Sequence, residues 1–130
     1  MTFFDVNILP VVVCAFSAFI LGGLWYSLIL PKQWQAVANV QNESAKNPAV
    51  VYPVIFILNL IAAFVFGFLF RGATFETFFL NGFLIGLTLV AFSIAINYLG
   101  ANRPFKLILI DASFQLLRIT TFGLVFGLFA

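Results

Sequence analysis

The chain has 130 residues, of which 64% are hydrophobic and only 8% charged, with a net charge of +2. Soluble domains carry about 25% charged residues, and a chain this short is mostly surface, so it could not hide so much apolar area from water. A soluble enzyme, a disulfide scaffold and a disordered chain are excluded; a polytopic helical membrane protein remains.

The few charges are not clustered, so there is no nucleic-acid footprint and no nucleic-acid partner is expected. Histidine is absent, which removes the commonest general base and metal ligand. A lone Cys14 can form neither an internal disulfide nor a thiolate metal site, so neither metal nor other cofactor is expected. The 19 phenylalanines read as lipid-facing bulk. No Lys or Arg precedes the first apolar run, which is longer than the apolar core of a signal peptide, so none is expected there.

Four apolar stretches follow in order, about 8–30, 51–70, 75–98 and 105–129. Each is long enough to cross a hydrocarbon core of about 30 Å at about 1.5 Å per residue. Backbone groups in lipid must be satisfied within the segment, and strand alternation is missing, so helices are required. The fold class is all-α: an integral membrane four-helix bundle, one transmembrane domain over 1–130.

Between the first and second stretches, Trp34, Val37 and Ala38 fall at helical spacing. This predicts a short amphipathic helix over about 31–41, lying in the headgroup region with Trp34 as its anchor. Asn42-Glu43-Ser44 matches the glycosylation triplet, a pattern that arises often by chance in a loop expected to be cytoplasmic. The links at 71–74 and 99–104 are short, which predicts antiparallel neighbours. Thr74 suits an N-cap, with Glu76 in the first turn at the positive helix end. Pro104 suits the start of the last helix.

Lys32, Lys46, Arg103 and Lys106 fall on one side of the membrane and Arg71 on the other. The positive-inside rule then makes 31–49 and 99–104 cytoplasmic and puts both termini outside. Small residues recur four apart in every span: Cys14, Ala18 and Gly22; Ala63 and Gly67; Gly82 and Gly86; Gly123 and Gly127. That spacing suits close helix packing, with pairs to spare for a second copy or another membrane protein.

Polar groups inside the bilayer are the only candidates for chemistry. Asp111, Gln115 and Arg118 follow at i, i+4 and i+7 and share one face of the last helix within about 60°. A mid-span arginine costs at least about 2.5–3.5 kcal/mol on insertion scales, so something must compensate. Two readings stand: a solute, ion or lipid-headgroup contact in a polar cavity, or an Asp–Gln–Arg ladder stitching the helix to its neighbours. Ser93 and Asn97 lie on one α-helical face with Gly82 and Gly86 and are expected to complete the cavity. Asn59 joins the candidate binding set, although a lone amide is commonly helix–helix glue. Trp25, Tyr26 and Tyr98 read as an aromatic belt before they read as ligands. No nucleophile–base pair is present, and an enzyme would have only Asp111 as a buried acid or base, so none is expected.

Two local patterns carry a resemblance. One is Gly23-Leu24-Trp25-Tyr26-Ser27 followed by Pro31-Lys32-Gln33-Trp34. The other is Ile96-Asn97-Tyr98, Arg103-Pro104-Phe105-Lys106 and Ile110-Asp111-Ala112 with Gln115. Together they resemble the small bacterial four-span membrane proteins called domain of unknown function 1761, over nearly the whole chain. The resemblance implies four helices in a bacterial cytoplasmic membrane and supplies no activity. The family pattern commonly has histidine four residues after Asp111; Gln115 stands there instead, which allows hydrogen bonding but not proton transfer. The expected function is non-enzymatic: transport or binding of a small solute, ion or lipid at span four by an oligomer. The alternative is an accessory subunit docking another membrane protein or anionic lipid.

Overall fold

The computed structural model describes residues 2–29 and 47–130. Among them, four helices are long and apolar enough to cross a membrane: Ile8–Tyr26 (span one), Ala49–Leu69 (span two), Phe75–Gly100 (span three) and Phe105–Leu128 (span four). The chain is a multi-pass, all-α membrane protein. The interfacial helix expected over 31–41, with Trp34, and the triplet at Asn42 lie outside the described residues.

Side-chain caps start three of the helices. Asn7 accepts from the Leu9 N–H at 3.1 Å and Asn47 from the Ala49 N–H at 3.0 Å. Thr74 caps span three by accepting from the Thr77 N–H at 3.4 Å, with Glu76 in the first turn. A small hairpin precedes span one, pairing Thr2 with Asn7 and Phe3 with Val6. Its turn residues Phe4 and Asp5 have φ of 51° and 62°, the left-handed pair that a two-residue hairpin needs. The hairpin presses Val6 into the core, where it is 2% exposed.

The helices line up in the order two, one, four, three. Span four packs along span three and also meets span one, while span two leans chiefly on span one. The seam between spans three and four is close because glycines face each other across it. A Cβ on Gly82 would stand 2.9 Å from the Ile119 carbonyl oxygen, and one on Gly123 would run into that of Phe78. Only a residue without Cβ permits that approach. Gly127 meets Phe75, Gly67 meets Phe126 and Val6, and Gly22 meets Phe114. Cys14 is fully buried, with Sγ 3.9 Å from the Phe122 carbonyl oxygen. Small residues of every span are thus engaged inside this one chain.

Two expectations need correction. The short 71–74 link does not lay span two along span three. They meet near that turn through rings, Phe66 lying 6.3 Å from Phe78, and Phe66 also lies 5.9 Å from Phe126 of span four. A short link fixes where two helices join, while packing partners fix where they go. The phenylalanines are also not all lipid-facing bulk. Phe66, Phe78, Phe122 and Phe126 form an aromatic core at this end, while Phe16, Phe68, Phe83 and Phe92 cover the outside.

Span one runs into a π-helical stretch, Leu24–Ile29, and span three contains another, Gly86–Ala91. In span three the Phe92 N–H reaches the Leu87 carbonyl, five residues back. Such a stretch absorbs one extra residue and rotates everything beyond it by about 100° relative to an unbroken α-helix.

A candidate polar site on span four

Span four carries its polar groups at two depths. Asp111 is the seventh of the helix's 24 residues and Arg118 the fourteenth, near its middle. The continuous Asp111–Gln115–Arg118 ladder does not form. Gln115 turns towards Arg118, and Asp111 is held by other partners.

At the shallower level three spans converge on Asp111. The Tyr26 hydroxyl, from the end of span one, donates to Oδ1 at 2.6 Å. The Tyr98 hydroxyl, from the end of span three, donates to Oδ2 at 2.8 Å. Next door, the Trp25 indole N–H donates to the Ile110 carbonyl at 3.2 Å. The Tyr26 ring also packs edge-on to Phe114 at 5.2 Å. These aromatics are more than an interfacial belt, because their polar ends are spent on span four. The Trp25-Tyr26 pair and Asp111 are also the centres of the two sequence patterns singled out above.

The deeper level is built around Arg118. Its Nε donates to Gln115 Oε1 at 2.8 Å and its Nη1 to Asn59 Oδ1 at 2.7 Å. Asn59 is buried at the midpoint of span two, and its amide nitrogen donates to the Ile55 carbonyl at 3.0 Å. That bond fixes the amide's orientation and aims its oxygen at Arg118. The guanidinium carbon lies 5.5 Å from the Phe122 ring centroid. Arg118 is half-buried. Its Nη2 meets no acceptor among the described residues and is not sealed in, since the buried unpartnered side-chain polar atom among them is the Thr120 hydroxyl.

The structure thus brings Asn59 and Gln115 to Arg118 and sets Asp111 apart. It does not bring in Ser93 or Asn97. Ser93 is exposed and donates to its own helix at the Leu89 carbonyl, and Asn97 is exposed. The π-helical stretch is the reason. On an unbroken α-helix Gly82 and Gly86 would share a face with Ser93 and Asn97. With one residue absorbed between Gly86 and Ala91, the face passes to Ile94 and Tyr98, which are half-buried. Tyr26 and Tyr98 are the site residues that α-helical periodicity missed. Depth was the available signal: both close odd-numbered spans, at the level where Asp111 enters span four.

Chemically, the shallower level is a carboxylate fastened by two hydroxyl donors. The deeper level is a cation held in place by neutral amides. No curated protein and no solved structure matches the chain. The model of a family described as protein of unknown function (DUF1761) matches residues 9–127, and the chain belongs to that family.

Proposed function

We propose that this chain binds or moves a small solute, ion or lipid at the polar face of span four, without catalysing a reaction, and acts as an oligomer in a bacterial cytoplasmic membrane. One observation carries the reading: Arg118, near mid-span, is positioned by Asn59 and Gln115 yet keeps Nη2 open. A charge at that depth is expensive and is commonly functional in membrane proteins. One protomer of four spans has little room for a pathway, so a second copy would complete it. The four-to-one distribution of Lys and Arg between the loops supports both termini outside.

The test is flux of a panel of labelled solutes into proteoliposomes. Arg118→Leu should abolish flux while the protein stays folded and monodisperse. Unchanged flux overturns the reading, and loss of folding points instead to a structural role. A reporter fused to the C-terminus should read as external; a cytoplasmic signal overturns the orientation.

One observation favours a second reading, an accessory subunit. The Arg118–Asn59 bond is itself a tie between spans two and four, which otherwise meet through the Phe66 and Gly67 contacts with Phe126. In that case purification in mild detergent would bring down another membrane protein in stoichiometric amount, and native mass spectrometry of a clean homo-oligomer would exclude it.

A further inference from the structure

We infer that the ligand of this face is an oxyanion, held by Arg118, a step that rests on reading the face as a binding site. Both groups that position Arg118 are amide oxygens, which orient a guanidinium without neutralising it. Among the described residues no carboxylate stands within ion-pair distance of it, and Asp111 is engaged by Tyr26 and Tyr98. The full positive charge is therefore kept near mid-span, where charge is least tolerated. Guanidinium is planar and matches two oxygens of a carboxylate, phosphate or sulfate at once. With Nε and one Nη1 hydrogen tied, the plane is set in advance, and the second Nη1 hydrogen together with the open Nη2 is left to a ligand.

The surroundings give an approach. Ile119, beside Arg118, packs on Gly82 and Gly86 of span three, while Arg118 itself reaches Asn59 of span two. Arg118 thus stands between spans two and three, which meet near the Arg71 turn and not along their length. The ligand is an oxyanion group, from a free solute or from the headgroup of an anionic amphiphile entering from the bilayer.

The test is thermal unfolding of the purified full chain in dodecyl maltoside, titrated with inorganic phosphate in one arm and dodecyl phosphate in the other. A control series uses dodecyltrimethylammonium. A saturable rise in Tm is expected with at least one phosphate probe. Arg118→Gln should lose it, and Arg118→Lys should weaken it, because an ammonium lacks the planar fork. A rise with dodecyl phosphate alone names an amphiphile; a rise with inorganic phosphate names a soluble anion. The inference is overturned by no rise with either probe, an equal rise in Arg118→Gln, or an equal rise with the cationic detergent. Where Arg118→Gln does not fold, Arg118→Lys decides: binding as strong as wild type overturns the inference. If neither phosphate probe binds but flux still depends on Arg118, the anion assignment fails and the proposed function stands. If both are lacking, both fail.

Discussion

The two polar levels of span four differ in how their charge is met. At Asp111, hydroxyls from two other spans donate to the carboxylate, one to each oxygen. At Arg118, one neighbouring span and one residue of its own helix supply neutral acceptors, and a nitrogen is left over. The first arrangement fastens helix ends together. The second positions a charge without cancelling it. In lipid, where apolar contact gives helices little reason to associate, this difference separates a tie from a site.

Removing the tie should have the largest effect. Asp111→Ala leaves two tyrosine hydroxyls without their acceptor and frees the ends of spans one and three. A hydrogen bond to a charged group contributes about 1.5–3 kcal/mol, and less between membrane helices, so the expected loss is about 2–4 kcal/mol. Equilibrium unfolding by SDS titration in mixed micelles measures it. Asp111→Asn keeps one acceptor and should lose about half as much. Tyr26→Phe and Tyr98→Phe come next, at about 1–2 kcal/mol each, and neither should add to Asp111→Ala. Full additivity would mean that the tyrosines act elsewhere.

Arg118→Leu sharpens the contrast from the other side. It removes a mid-span charge that costs about 2.5–3.5 kcal/mol to insert, and it also removes two hydrogen bonds. These oppose each other, so stability should stay within about 1 kcal/mol of wild type. A loss as large as that of Asp111→Ala would make Arg118 a second tie and erase the distinction between the levels.

The four helices were legible because lipid demands long apolar segments with internal hydrogen bonds, and 51–70 and 105–129 miss the observed ends by at most a few residues. The grouping of Gln115 with Arg118 was legible because i and i+3 meet on any α-helix. The swing of Asp111 to Tyr26 and Tyr98 was not, since tyrosines at span ends fit an interfacial belt equally well. The misplacement of Ser93 and Asn97 has a sharper cause: α-helical periodicity carried across Gly86–Ala91 puts the next face one residue too early. Helical wheels have no term for an absorbed residue, and the Gly86–Ala91 sequence, apolar apart from Thr88, gives no sign of one.

That cause makes the smallest and least intuitive prediction. Deleting a residue from a membrane helix ordinarily rotates everything beyond it by about 100° and ruins its packing. Within Gly86–Ala91 the rotation is already present in the opposite sense. Removing Thr88, whose hydroxyl is exposed and donates to the Leu84 carbonyl of its own helix, should let the stretch become ordinary α-helix. Tyr98 would then still face Asp111. Stability should change by less than about 1 kcal/mol, and Tyr98→Phe should keep its full cost in that background. Removing Thr88 and Leu89 together overshoots, turning Tyr98 off the seam, and Tyr98→Phe should then cost nothing while Tyr26→Phe still does. If Tyr98→Phe falls silent after the single deletion instead, the π-helical stretch is not what brings Tyr98 to Asp111.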